Sequence, residues 1–434
     1  MIDLFAGCGG LSYGLEQAGF VPIFVNELNN DARASYLANR SFDLAGMPFN
    51  KRENLHSSDI YELTKNRLAQ LKSDLQSLDL LQEEGDNTSL DLICGGPPCQ
   101  GYSGIGHRRS YSVDKRDLPS NQLYEKMAEV IEFFRPKIFL FENVKGLLSS
   151  KWTSKGSKGE IWKDVHQRFA NIAGYSANWQ LVRAKDYGVP QNRPRILLVG
   201  IRQDILKSKP ELTSESFEQP RAVECGFLPP PTNDYPHPKE LLSDLVDKRI
   251  EKHLLHGDYP KNFETKSYPR SAKTEIQKRL RRSQDGTEGG AKGALAEQVY
   301  SKHSAKVVAK FKAMHESGGE IPAEFKTKKF AQRLLKERWP TEGPNITATS
   351  LPDDYVHYAQ PRSLTVREWA RLQMFPDCYV FKGKRTTGGT RRAGNPQLGE
   401  FERDVPKYTQ IGNAVPTELA RKTGIHFKKI LEDK

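Results

Sequence analysis

Cys99 directly follows Gly95-Gly96-Pro97-Pro98, after the apolar run of residues 90–94, so its thiol is presented on a rigid turn rather than packed in a core. That setting suits a nucleophile, which needs a fixed direction of attack and polar surroundings that lower the thiol pKa. Glu142, at the end of the apolar stretch 138–141, is placed as a carboxylic acid that can meet charge developing on a substrate. Arg193 and Arg195 alternate along an extended segment, so both can point to one side. A guanidinium there could position the carboxylate, hydrogen-bond a substrate carbonyl or help ionise the thiol. Upstream, Asp3-Leu4-Phe5-Ala6-Gly7-Cys8-Gly9-Gly10 joins a strand to a glycine turn that lets backbone approach a nucleoside-bearing ligand, with a helix N-terminus just beyond. Glu27 ends the next strand at about the spacing of an acid that hydrogen-bonds ribose hydroxyls, and Asp59 ends a third. The turn departs from Gly-x-Gly-x-x-Gly, which disfavours a nicotinamide cofactor.

Positioning these groups calls for alternating strands and helices. Residues 2–5, 21–27, 55–60, 90–94 and 138–141 read as strands, and 11–18, 30–39, 63–81, 121–134 and 160–173 as helices. Two further strands, 179–183 and 196–201, flank the arginine segment. This is an α/β pattern with a mainly parallel sheet, whose adjacent strands end at one edge and so bring Cys99 and Glu142 together. Residues 101–120 form a Gly-, Ser- and Arg-containing loop long enough to close over a substrate. Leu228-Pro229-Pro230-Pro231 reads as a linker, after which the composition changes. Residues 239–339 hold helical periodicities, the basic clusters Lys278-Arg279-Arg281-Arg282 and Lys326-Lys328-Lys329, and a Gly-rich break at 285–293. Thr365-Val366-Arg367-Glu368 is a capping box heading a helix that Phe375-Pro376 ends, and residues 382–399 form a basic, Gly-rich loop.

The 434 residues suit two or three domains, and a formal net charge of +12 favours a polyanionic partner. Five cysteines without Cys-x-x-Cys spacing indicate reduced thiols in a cytosolic compartment and no metal site. Neither a secretory leader nor a bilayer-length apolar run is present, so a cytoplasmic protein without membrane partners is expected.

These motifs, with Gln191-Asn192-Arg193-Pro194-Arg195 and Gln410-Ile411-Gly412-Asn413-Ala414-Val415-Pro416, resemble in order and spacing those of the DNA (cytosine-5)-methyltransferases of prokaryotic modification type. The match covers residues 2–201 and resumes at about 362. It implies a Rossmann-like S-adenosylmethionine-dependent methyltransferase domain with a mixed, mainly parallel sheet, plus a smaller target-recognition domain. The implied boundaries are 1–205 for catalysis, 206–403 for DNA recognition and 404–434 for a segment that returns to the catalytic domain. Cys99 would be the nucleophile toward carbon 6 of a flipped-out cytosine, Glu142 the acid at N3, Arg195 a direct catalytic partner and Arg193 a supporting one. S-adenosylmethionine, leaving as S-adenosylhomocysteine, would be cradled by Phe5, Ala6, Gly7, Gly9 and Gly10. Glu27 would hold the ribose and Asp59 the adenine amino group, with Leu28, Ile60, Pro98, Leu123, Asn413 and Val415 at the other matching positions. Gln100, Ser103, Arg108 and Arg109 would face DNA, the arginines as phosphate contacts. Cys8, Cys94, Cys225 and Cys378 lack such company and read as structural.

The implied partner is double-stranded DNA, bound by a monomer, with nucleoid association through DNA and cognate restriction or anti-phage proteins as family companions. An RNA cytosine-5 methyltransferase or a silent DNA-binding protein on the same scaffold are the alternatives. The long basic middle disfavours the first, and intact Cys99, Glu142 and Arg195 the second. Methylation of an exocyclic amine would need an Asp- or Asn-Pro-Pro-aromatic clamp, whereas here a cysteine follows Pro98.

Overall fold

The computed structural model describes residues 1–98, 122–282, 294–326, 332–339, 343–346, 354–387 and 404–432. Its centre is a seven-stranded sheet of β1 (Ile2–Leu4), β2 (Phe24–Asn26), β3 (His56–Ser57), β4 (Leu92–Gly95), β5 (Ile138–Val144), β6 (Tyr175–Arg183) and β7 (Pro194–Arg202). The spatial order is β6-β7-β5-β4-β1-β2-β3. Strands β3, β2, β1, β4 and β5 run parallel, and β7 lies antiparallel to both β5 and β6. Strand order reverses between β1 and β4, the crevice where open α/β sheets bind ligands.

The strands are apolar on both sides, as central strands covered on both faces must be. Leu92, Cys94, Ile138, Leu140, Leu197 and Val199 enter one core layer, while Ile93, Phe139, Phe141, Ile196 and Leu198 enter the other. The second layer is closed by α2 (Asn30–Ala38), α3 (Lys65–Ser77), α4 (Leu123–Phe134) and α5 (Glu160–Ala170), through residues such as Tyr36, Leu71, Ile131 and Phe169. Beyond β7 come α6 (Gln203–Lys207), α7 (Pro238–Leu242), α8 (Glu251–His256), α9 (Glu275–Arg281), α10 (Ala305–Glu316), α11 (Val366–Leu372), α12 (Lys407–Asn413) and α13 (Thr417–Leu431). The first layer is closed by α1 (Gly10–Glu16), α13 and side chains of the middle region, including Leu228, Leu245, Leu280 and Trp369. α1 and α13 pack closely because Gly14 faces the Thr417 carbonyl and Ala420, and Gly424 faces Ala18. None of the described helices is long and apolar enough to cross a membrane.

Three expectations change. The proline run is pinned rather than a free tether: Leu228 is buried and the Pro229 carbonyl accepts from the Tyr187 hydroxyl at 3.0 Å. The basic cluster on α9 is divided, with Arg279 and Arg282 at the surface, Lys278 partly exposed and Arg281 turned inward. Arg281 stands 2.5 Å from Asp244 and lies over the Tyr268 ring, and Arg279 pairs with Glu418 at 3.2 Å. The capping box does head α11, with Thr365 Oγ1 accepting from the Glu368 amide, but that helix ends at Leu372, ahead of Phe375-Pro376.

Asp3 breaks the apolar register of β1. It is 1 % exposed, and burial raises its carboxyl from 3.8 to about 6, opposed by the Ser12 hydrogen bond and the Arg40 charge. Because the folded-state pKa lies above the unfolded one, the folded chain holds the extra proton between about pH 4 and 6, and stability falls as pH rises through that window. The full loss is on the order of 2–3 kcal/mol. Asp3→Asn is expected to flatten this slope, read from urea midpoints at pH 4, 5, 6 and 7; an unchanged slope would refute the assignment.

Candidate active site

The parallel strands deliver the site residues to one edge. The backbone turns at Phe5 (φ +55°), Gly7 (φ +59°) and Gly9 (φ +89°), three left-handed conformations within five residues. The Ala6 amide donates to the Asn26 carbonyl at 3.0 Å, and the Gly7 amide donates to Glu27 Oε2 at 2.8 Å. Glu27 Oε1 also accepts from the Asn29 amide at 2.8 Å. The glycine turn and the acid at the end of β2 are therefore one unit. Burial raises the Glu27 pKa, and these two amides oppose the rise. Leu28 is 70 % exposed next to it, an apolar surface beside the carboxylate. A Cβ on Gly7 would meet nothing within 4 Å, so the turn borders open space. This combination of close backbone, half-buried carboxylate and exposed apolar side chain fits a nucleoside-bearing donor.

Asp59 follows β3 and caps the turn at Ile60–Glu62, its Oδ1 accepting from the Tyr61 amide at 3.0 Å. Ile60 is buried, and α4, whose first residue is the half-buried Leu123, packs on that turn. From the far end of the chain, Val415 brings its carbonyl against Gly10, Gln410 accepts from Cys8 Sγ at 3.5 Å, and Asn413 is exposed. The C-terminal segment thus folds back beside the glycine turn, as its motif implies.

On the other side of the strand reversal, the described chain reaches the exposed Pro98, one peptide bond short of Cys99. Cys99, Gln100, Ser103, Arg108 and Arg109 lie outside the described residues. Glu142 sits directly behind this turn: a Cβ on Gly96 would come within 2.8 Å of its Oε2. Asn143, a site residue to which the sequence analysis gave no role, donates from Nδ2 to the Pro97 carbonyl at 3.1 Å and so fixes the turn. Arg195 and Glu142 are diagonal neighbours across β7 and β5, where Arg195 pairs with Val144, so both side chains share one face. Arg195 Nε stands 2.6 Å from Glu142 Oε1, an ion pair whose N–H is not aligned for a hydrogen bond. Glu142 is 8 % exposed. Burial raises its pKa, opposed by Arg195 and then Arg193, so the carboxyl keeps its proton to higher pH than an ordinary glutamate.

Arg193 differs from Arg195. Its guanidinium donates to the carbonyls of Ile346, Gly412 (2.5 Å) and Ala414 (3.2 Å). Burial, then the like charge of Arg195, lower its pKa, and Glu142 opposes them. Gln191 acts with it, donating to the Leu372 carbonyl and to Gln373 Oε1, both at 2.8 Å. The Gln-Asn-Arg-Pro-Arg motif therefore divides its labour: Arg195 meets the carboxylate, and Gln191 and Arg193 tie β7 to the middle and C-terminal segments. Arg193→Ala would strand the Ile346 and Gly412 carbonyls, Ala414 keeping its bond from Gln373 Nε2, and is expected to cost about 2–5 kcal/mol. The denaturant midpoint checks this, and a shift worth under about 1 kcal/mol would contradict it.

The strand order and this site together define an α/β enzyme of the methyltransferase fold. The chain belongs to the C-5 cytosine-specific DNA methylase family, whose model matches residues 1–429. It is 29 % identical over 438 residues to the Type II methyltransferase M.DdeI of Desulfomicrobium norvegicum, covering 97 % of this chain and 86 % of that one. With the Type II methyltransferase M.AgeI of Thalassovita gelatinovora it shares 28 % identity, covering 97 % of each. Among solved structures, a prophage-encoded Escherichia coli protein described as a DNA modification methyltransferase superposes with a TM-score of 0.65 at 22 % identity, covering 99 % of this chain and 98 % of that one. The last likeness concerns the fold.

Proposed function

We propose that this chain transfers a methyl group from S-adenosylmethionine to carbon 5 of a cytosine turned out of duplex DNA, through a transient bond to Cys99. The carrying observation is the Glu142–Arg195 pair, buried behind the turn that ends one residue before that cysteine. Carbon 5 is a poor nucleophile in an aromatic ring. Addition of the Cys99 sulfur to carbon 6 breaks aromaticity, and Glu142, its proton favoured by burial, donates toward N3, so electron density builds at carbon 5. Arg195 holds the carboxyl and faces the pyrimidine carbonyl. When bound, S-adenosylmethionine supplies the electrophilic methyl group that carbon 5 takes. Loss of the carbon-5 proton to a bound water, expulsion of the Cys99 sulfur and return of the N3 proton to Glu142 restore the aromatic ring.

Phe5 to Gly10 and Glu27 would hold the donor's ribose side, and Asp59 its adenine amino group. Leu28, Ile60, Pro98, Leu123, Asn413 and Val415 would supply the remaining walls. A base inside a duplex is beyond reach of a thiol, so the target nucleotide must leave the stack, with Gln100, Ser103, Arg108 and Arg109 facing the strand it leaves. Residues 206–403 read the sequence. An open cleft there of about 570 Å³ is lined by Lys248, Arg270, Ser267 and Tyr268, with Arg249 paired to Asp247 at 2.8 Å, and Lys248 and Arg270 suit a phosphate backbone. The Type II relatives support a role in a restriction or anti-phage system, and action as a monomer on DNA is part of the same proposal. Bisulfite sequencing of DNA from cells expressing the chain tests the reading: 5-methylcytosine in one recurring context is expected. Its absence from DNA, or its presence only in RNA, would overturn the proposal.

A further inference from the structure

We infer that Tyr379 and Arg40 are positioning residues for the methyl-donor turn, and that donor affinity depends on a hydroxyl supplied 371 residues downstream of the carbonyl it holds. The inference rests on the reading of residues 5–10 as the donor site.

Left-handed backbone at Phe5 persists only where the surroundings over-determine it, and Gly7 and Gly9, free to take many conformations, need restraints to hold one. On the ligand side the turn is held by Asn26 and Glu27, through the bonds described above. Behind it stands a second set of restraints that touches no open space. The Tyr379 hydroxyl donates to the Cys8 carbonyl at 2.5 Å, and Arg40 Nη1 donates to that hydroxyl oxygen at 3.4 Å. Arg40 Nη2 donates to the Gly9 carbonyl at 3.4 Å and to Ser12 Oγ at 3.2 Å. Two consecutive carbonyls of the turn are thus drawn to the rear by one connected chain of donors, an arrangement in which each bond polarises the next.

The clamp is itself fixed. Arg40 is fully buried, paired with Glu16 at 2.5 Å and stacked 3.6 Å from the Tyr36 ring centre. The Tyr379 ring meets Tyr13 edge-on at 5.1 Å, and its own carbonyl accepts from Arg367 Nη2 at 3.0 Å. A Cβ on Gly9 would come within 2.8 Å of both Arg40 Nη1 and the Tyr36 ring. Gly9 therefore serves the approach of the clamp as well as its own positive φ. Tyr379 is 1 % exposed, so it acts through the turn rather than on the donor itself. The segment bearing it also carries Asp377, which takes Arg371 at 2.6 Å and the Tyr268 hydroxyl at 2.8 Å, so the donor turn is completed only once the chain has returned from the middle region.

Tyr379→Phe deletes one hydroxyl and keeps the ring. A lost buried hydrogen bond transmitted to the turn should raise the dissociation constant of S-adenosylhomocysteine, by calorimetry, and the KM for S-adenosylmethionine by about 5- to 20-fold. At saturating donor, kcat and DNA affinity should stay within about twofold, the mark of a donor-specific positioning role. Arg40→Lys keeps the charge but loses the planar fork, and should shift donor affinity in the same direction. Leu71→Ala on α3 is the control for general loosening: it should lower the unfolding midpoint with donor affinity intact. Donor affinity unchanged in both clamp variants, or weakened equally in the control, overturns the inference. If Tyr379→Phe does not fold, Arg40→Lys decides. If neither folds, the pair is architectural and the inference is wrong. Failure of the wild-type chain to bind the donor would instead sink the underlying reading of the site, and would be visible before any variant is made.

Discussion

Cys99→Ser should reduce methyl transfer to duplex DNA by about 10⁴-fold or more, while S-adenosylhomocysteine binding is unchanged. The size follows from the nucleophile. A thiol with an ordinary pKa near 8.5 offers a usable thiolate fraction at neutral pH, and an adjacent positive charge enlarges it, whereas a serine hydroxyl stays protonated and adds poorly to carbon 6. A duplex carrying 5-fluorocytosine at the target should trap the wild-type enzyme as a covalent complex, because fluorine at carbon 5 blocks the proton loss that precedes release of the sulfur. Peptide mapping should place the adduct on Cys99. The other thiols are poor competitors. Burial pushes Cys8 up to about 12 and Cys94 well above its ordinary value, and both lie inside the core. Cys225 is buried and its pKa is also raised, burial being the main cause. Cys378 is half-buried beside the Arg282 carbonyl. Full activity in the serine variant, or an adduct on any other cysteine, would end the covalent mechanism.

What the sequence made legible was local. The strand–turn–helix from Ile2 to Glu16, the acid at the end of β2 and the capping box of α11 each announce themselves within a dozen residues, since period, glycine placement and cap chemistry are short-range signals. The meeting of Glu142 with Arg195 was one of three roles the alternating arginines offered, and the antiparallel pairing of β7 with β5 selects it. Roles that depend on distant partners were not legible. The resemblance gave Arg193 a supporting part beside Arg195 without saying what it supports, and only the folded chain shows it holding carbonyls 153 to 221 positions away. Arg281 looked like part of a DNA-facing cluster until Asp244 and Tyr268 were seen to enclose it. Nothing in the local sequence of Tyr379 or Arg40 marks them as the back wall of a ligand turn. The clearest available signal was Gly9 itself, since a glycine where another side chain must approach closely implies that something comes close.

Glu142→Gln should lower kcat by about 10²–10⁴-fold with little effect on donor binding, because the amide keeps the shape but cannot pass a proton toward N3. The pH dependence gives the sharper test. Burial raises the Glu142 pKa, and the Arg195 and Arg193 charges pull it back down. A raised carboxyl pKa means that the protonated, donating form persists as pH rises and is lost only once pH passes that raised value. The wild-type kcat should therefore fall on its alkaline side as Glu142 ionises, while thiolate formation at Cys99 favours the opposite direction, giving a maximum between them. In Glu142→Gln the alkaline fall should vanish from the residual activity, leaving only the rise with thiolate. Arg195→Met removes the larger of the two charges that lower the Glu142 pKa. Its kcat should drop, and its alkaline limb should move to higher pH, a displacement that mere loss of substrate contact would not produce. Activity within about tenfold of wild type in Glu142→Gln, or an alkaline limb that stays in place in both variants, would show that the proton reaches N3 from elsewhere.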